Sequence, residues 1–358
     1  MRSLLVFGAR PNFMKVAPLY RAMTGNDEFE AVLVHTGQHF DRAMSEEFLE
    51  VLELPTPDVH LGVGAGTQAV QIAEVMRRLE RVMTDVRPDI TVVVGDVTST
   101  LAAALTSATL DIPVAHVEAG LRSRDWGMPE ERNRVLTDRL SRFLFTPSAD
   151  ADQNLLAEGI APERIFFVGN VMMDSLDWVL PRMSVAAAQE TYGVAGRPYG
   201  LVTLHRPSNV DSAAVLAGIL SALEDVAADV QLLFPVHPRT RQRLDTFGLH
   251  IDAPGLEALP PMRYDLFTAL LSGASIVLTD SGGIQEEATA LGVPCLTLRD
   301  NTERPVTLAS GGNELVGADP ERILAAARRR LAAPSAAVDR PPLWDGATAG
   351  RILDVLGR

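Results

Sequence analysis

Residues 4–7, 31–35, 90–95, 114–117, 143–146 and 165–168 are short, rich in β-branched residues and almost wholly apolar, and longer stretches with helical spacing separate them. Strands apolar on both faces are buried on both faces, which predicts a parallel sheet covered by helices on each side. After a less ordered stretch at 184–198 the pattern restarts with 201–204, 232–236, 276–279 and 295–298. The chain therefore reads as α/β, with two doubly wound Rossmann-like domains, 1–170 and 171–343, facing one another across a cleft. A Pro-rich bend at 339–343 precedes a last helical segment, 344–358, which is free to pack back on the first domain. Ligands of open α/β sheets bind beyond the carboxyl ends of the strands, so the residues just after each strand carry the functional signal.

Composition agrees with two cores: the chain has 358 residues, 47% of them hydrophobic. A net charge of -14 argues against nucleic acid or an anionic membrane as partner, since both need a broad basic face. It leaves room for an anionic small molecule wherever cations cluster. No run approaches the ~20 apolar residues of a membrane helix, and the first apolar run is too short for a signal peptide. With a single cysteine, Cys295, in a strand-like segment, the expectation is a cytoplasmic protein without disulfides.

Cations and carboxylates do gather after the strands. The first is followed by Gly8-Ala-Arg-Pro-Asn-Phe-Met-Lys15, a tight turn and a helix start where Arg10 and Lys15 would meet a phosphate. Lys15 is the only lysine in the chain, which suggests a place where a compact ammonium serves better than a guanidinium fork. Later strands end in Gly95-Asp96 and in His116-Val-Glu118, and Glu130-Glu131 opens the helix carrying Arg134. Carboxylates that share one crevice suit acid/base work near neutrality, although Asp96 alone could simply cap the helix at Thr98. In the second half His205-Arg206 and His237-Pro-Arg239 follow strands, and Thr279-Asp-Ser281-Gly282-Gly283-Ile-Gln-Glu-Glu287 reads as a strand, a glycine turn and an acidic helix start. Its backbone N–H groups can hold a diphosphate, and Glu286 or Glu287 a ribose.

Two other motifs carry less. The segment Gly62-Val-Gly-Ala-Gly-Thr67 has the glycines of a dinucleotide loop, but the Pro-rich 54–60 precedes it instead of a strand. His35 and His39 have zinc-like spacing with a glycine between them and no shared helix face, so no metal is expected.

At these residues the chain resembles the non-hydrolysing UDP-N-acetylglucosamine 2-epimerases over essentially its whole length. The resemblance rests on Gly8–Lys15, His35-Thr-Gly-Gln38-His39, Gly95-Asp96, His116–Arg122, Met128-Pro-Glu-Glu131, Asp280–Glu287 and Thr302-Glu-Arg304-Pro305. It implies a GT-B type fold, a homodimer without metal, NAD or other cofactor, and reversible conversion of UDP-GlcNAc to UDP-ManNAc for cell-surface polysaccharide. It also implies anti elimination of UDP to a 2-acetamidoglucal and re-addition after the proton returns to the other face of C2. Asp96, Glu118 and Glu130 then form the acid/base set. Arg10, Lys15, Arg134, His205 and the 281–283 turn stabilise the departing diphosphate, His205 being counted with the catalytic groups; Glu287 holds the ribose, and His237 and Arg304 line the substrate. Many bacterial members have a second, activating site that draws on the Gln38-His39 loop. Here Asp41 and Pro207 stand where those members carry polar or basic groups, and Gly312 replaces an expected threonine. A hydrolysing epimerase releasing ManNAc and UDP, a GT-B glycosyltransferase and a non-catalytic sugar-nucleotide sensor are the alternatives. The carboxylates at the first domain's strand ends favour the epimerase.

Overall fold

A computed structural model of the chain describes residues 1–37, 42–332 and 339–358. They divide into two compact units, Met1–Val179 with Pro342–Arg358, and Leu180–Pro341. The first unit holds β1 (Arg2–Phe7), β2 (Glu30–His35), β3 (Val59–His60), β4 (Ile90–Val94), β5 (Val114–Val117), β6 (Phe143–Thr146) and β7 (Ile165–Phe167). They pair in parallel in the order β3-β2-β1-β4-β5-β6-β7. Chain direction along the sheet reverses between β1 and β4, and the crevice at such a reversal is where open α/β sheets take their ligands.

The second unit repeats the plan with β8 (Tyr199–Thr203), β9 (Gln231–Pro235), β10 (Leu256–Leu259), β11 (Ile276–Thr279), β12 (Cys295–Thr297) and β13 (Asn313–Leu315). All are parallel, in the order β10-β9-β8-β11-β12-β13, and the reversal lies between β8 and β11. Alternate residues supply the two faces. Val202, Leu232, Phe234, Ile276, Leu278 and Leu296 join one buried cluster, and Leu201, Leu233, Val277 and Cys295 join another. Burial pushes the Cys295 thiol up to about 12, so it is core rather than a nucleophile.

Several boundaries differ from the sequence expectation. The first unit runs to Val179, not 170, because the helix Val171–Val179 buries Val171, Met172, Met173 and Leu176 in that unit. The stretch 184–198 is only partly irregular: Ser184 caps a helix over Val185–Thr191, and turns follow it. Strands β3, β10 and β13 escape the pattern, since edge strands are short and need no continuous apolar run. The last helix is Thr348–Leu356, and Trp344 before it is buried, with Nε1 donating to the Pro147 carbonyl at 2.9 Å. Among the described residues no helix is long and apolar enough to cross a membrane.

Candidate active site

In the first unit three strand ends and the helix Pro129–Leu140 supply one cluster. Gly8 leads from β1 into the helix Arg10–Thr24, and a side chain there would overlap Thr36 and Ser99. Asn12 is fully buried: its Oδ1 accepts from the amides of Gly8 (3.3 Å) and Ala9 (3.1 Å), and its Nδ2 donates to the Val94 carbonyl at 3.2 Å. It ties the loop after β1 to the end of β4. One turn on, the Lys15 ammonium forms a buried ion pair with Glu118, each residue only 5% exposed. Gly95 makes room for that pair. It sits at φ +65°, and a Cβ there would lie 2.8 Å from Lys15 Nζ and 3.3 Å from Glu118 Oε2.

Asp96 follows Gly95, and its Oδ2 accepts from Arg134 Nε at 3.2 Å. Arg134, 1% exposed, also donates from Nη1 to Glu131 at 2.7 Å, while its Nη2 meets no partner. A buried guanidinium nitrogen left unsatisfied beside a strand end is costly unless a ligand oxygen completes it. Glu131 is spent on structure, accepting from the amides of Ser123 (2.9 Å) and Arg124 (2.8 Å) as well as from Arg134. Glu130, its neighbour, is half-buried and has no hydrogen-bond or ion-pair partner among the described residues. The helix Thr98–Thr109 has Val97 at its N-cap without a side-chain bond, so Asp96 is not a capping residue.

In the second unit the reversal point is organised by a buried aspartate that the sequence reading did not single out. Asp280, after β11, accepts from the amides of His205 (3.0 Å) and Arg206 (2.9 Å) and from Asn209 Nδ2 (3.2 Å), and its Oδ1 lies 3.1 Å from His205 Nδ1. Burial pushes its carboxyl up, but these donors, His205 first, outweigh it and hold it below the usual carboxylate range. Its position was visible: it follows a strand end next to the reversal, as Asp96 does in the first sheet. The His205 and His237 rings lie 5.4 Å apart, and His237 caps the helix Pro238–Phe247, Nδ1 accepting from the Arg239 amide at 3.2 Å.

Ser281 is the N-cap of the helix Gly282–Leu291, so Gly282 and Gly283 are its first helical residues and not the turn expected from sequence. Gly282 is needed for space: a Cβ would lie 2.5 Å from Arg304 Nη1 and 3.0 Å from Glu303 Oε1. Arg304, 6% exposed, is paired with Glu286 (2.9 Å) and Glu303 (2.6 Å). Glu287 is buried beneath Tyr264, whose hydroxyl donates to it at 2.9 Å. Burial, with Glu286 nearby, raises its carboxyl to about 8.

The structure thus brings Lys15, Glu118, Asp96 and Arg134 together in one unit, and His205, His237, Ser281, Gly282, Glu287 and Arg304 around one sheet reversal in the other. Gln38 and His39 lie outside the described residues, as does the side chain of Arg10. His35 accepts from the Gly37 amide and stacks on His60, and burial first, then His60, lowers it to about 4, so it stays neutral. A two-residue strand, β3, does precede the 62–67 glycines, but it lies at the sheet edge, away from the reversal.

The family model for UDP-N-acetylglucosamine 2-epimerase matches residues 21–357. Methanocaldococcus jannaschii UDP-N-acetylglucosamine 2-epimerase is 41% identical over 337 residues, covering 91% of each chain. A Pseudomonas aeruginosa UDP-2,3-diacetamido-2,3-dideoxy-D-glucuronate 2-epimerase is 39% identical over 335 residues, with 92% of each covered. The crystal structure of the M. jannaschii enzyme in complex with UDP-GlcNAc and UDP superposes with a TM-score of 0.93 at 38% identity, covering 100% of this chain and 99% of that one.

Proposed function

The chain belongs to the UDP-N-acetylglucosamine 2-epimerase family, and from that premise we propose how its residues work. It is an isomerase that epimerises UDP-GlcNAc at C2, interconverting it with UDP-ManNAc. The observation that carries the reading of the site is the pairing of Lys15 with Glu118 and of Arg134 with Asp96 at adjacent strand ends.

The C2 proton is not next to a carbonyl. It becomes acidic only as the C1–O bond breaks and positive charge develops at C1, so departure of UDP precedes or accompanies proton removal. Elimination then gives a 2-acetamidoglucal, and return of a proton to the opposite face, followed by re-addition of UDP, gives the epimer. Two carboxylates on a common site suit a reaction that removes a proton from one face and delivers it to the other. Asp96 and Glu118 are those groups, with Glu130 the third candidate. Lys15 and the unsatisfied Nη2 of Arg134 supply positive charge for the oxygen that leaves C1. His205, fixed by Asp280, together with the helix start at Ser281 and Gly282, holds the diphosphate; Arg304, Glu287 and His237 serve the nucleotide.

Working as a homodimer follows from the family resemblance. A cytosolic location accords with a single cysteine that is buried and unpaired. Incubation with UDP-GlcNAc in deuterated water should yield UDP-ManNAc carrying deuterium at C2. Epimer without label would overturn the elimination. Release of free ManNAc with UDP would put the chain among hydrolysing epimerases instead.

A further inference from the structure

Beneath the first unit's strand ends lies a buried charge network that the chemistry above does not use. His116, on β5, is fully buried, and both ring nitrogens are engaged. Nε2 donates to the Gly95 carbonyl at 2.8 Å, and Nδ1 lies 2.6 Å from Asp138 Oδ1. Asp138, equally buried, uses its other oxygen to accept from the Gly120 amide at 3.2 Å and from Arg122 Nη2 at 2.8 Å. Arg122 in turn forks onto Glu158 at 2.7 and 2.8 Å. Burial pushes Asp138 up, yet His116 and Arg122 hold it below the usual carboxylate range.

The two peptides this network grips flank the two carboxylates proposed to act at C2. Gly95 directly precedes Asp96, and Gly120 lies two residues after Glu118. All three positions around the grip have left-handed backbone: Gly95 at φ +65°, Glu118 at +74° and Gly120 at +81°. For Glu118 that conformation is uncommon and persists only when its surroundings over-determine it. Taking an imidazole, a carboxylate and a guanidinium out of water is expensive, and apolar side chains would fill the space more cheaply. What apolar side chains cannot do is donate to one loop carbonyl and accept from another loop amide.

We propose that His116 and Asp138 are positioning residues for epimerisation, a buried clamp that fixes Gly95 and Gly120 so that Asp96 and Glu118 are presented together at the strand ends. The inference rests on the reading that these two carboxylates work at C2. A misplacement of about 1 Å at a reacting group can cost about 10²-fold in rate, so the clamp acts on kcat and not on nucleotide affinity, which the second unit's residues supply.

The test compares three full-length variants. His116→Asn places its amide near Nδ1 and loses the Gly95 bond. His116→Gln places its amide nitrogen near Nε2 and keeps it. Asp138→Leu is close in size and removes both the acceptor of the Gly120 amide and the partner of His116 Nδ1. The expected result is that His116→Asn and Asp138→Leu lower kcat by about 10- to 100-fold with KM and UDP affinity nearly unchanged. His116→Gln should recover most of the rate although its melting temperature falls as far as that of His116→Asn. Wild-type kcat in both His116→Asn and Asp138→Leu overturns the proposal, as does a loss that follows melting temperature regardless of which bond is kept. Should either of these two fail to fold, the other decides, and a wild-type kcat there overturns the proposal. Wild-type enzyme that places no deuterium at C2 refutes the acid/base reading itself, whereas labelled wild-type product with unimpaired variants refutes only the clamp.

Discussion

Glu287 shows how one side chain links a binding role to stability. Buried among apolar groups and held near 8, well above its ordinary 4.5, it retains a proton in the folded state that the unfolded chain releases. Its contribution to stability is therefore full below about pH 4.5 and is lost as pH rises towards 8, at about 1.4 kcal/mol per pH unit in the limiting case. Glu287→Gln keeps the hydrogen bond with Tyr264 without the ionisation. Its melting temperature should exceed that of wild type at pH 8 and match it near pH 4.5. Parallel curves across that window would show Glu287 already ionised. Gly282 makes the complementary case through space. A methyl there would drive into Arg304, which two carboxylates hold in place, so the helix start and the guanidinium cannot both keep their positions. Gly282→Ala should weaken UDP binding about tenfold, or ~1.4 kcal/mol, by calorimetric titration. An unchanged affinity would separate Arg304 from the nucleotide.

At the scale of elements, continuously apolar strands could be read, the edge strand β7 among them, and the polar or very short edge strands could not. Residues 114–117, 143–146 and 276–279 coincide with β5, β6 and β11 because a strand with helices on both faces must be apolar throughout. β10 carries the exposed Glu257, and β13 carries Asn313 and Glu314 in three residues, too little apolar pattern to distinguish from a loop. The boundary of the first unit was hidden for another reason. The helix Val171–Val179 follows the last strand of its sheet, as any crossover helix would, and only its packing assigns it. Its Asp174 receives the amides of Thr348 (3.2 Å) and Ala349 (2.8 Å), fastening the start of the C-terminal helix to it. Burial raises this carboxyl despite those bonds. Asp174→Ala should cost about 1–2 kcal/mol, in the range of lost N-caps, and lower the melting temperature by a few degrees. Exchange of the amides of 348–356 should rise in step; if they stay protected, the helix is held by its apolar face alone.

For the molecule as a whole, the carboxylates, histidines and arginines after the strands were legible because a parallel sheet forces its chemistry to the strand ends. What held them was not. Nothing in spacing distinguishes Glu130 from Glu131, yet one is bonded into the Ser123–Arg124 loop and the other is available. Asp138 looked like an ordinary helix residue until His116 and Arg122 proved to be its partners, and Asp280, visible by its position, gave no sign that it holds His205. The proposed division of labour between units follows from where each set sits, and it can be separated experimentally. Asp96→Asn and Glu118→Gln should abolish deuterium incorporation and epimerisation while UDP binds as to wild type. Arg304→Ala should weaken UDP binding and raise KM, with the residual turnover still placing deuterium at C2. If Glu118→Gln instead raised UDP affinity, the Lys15 ammonium freed from its partner would be a site of nucleotide capture, and the first unit would hold the diphosphate as well as the reacting carbon.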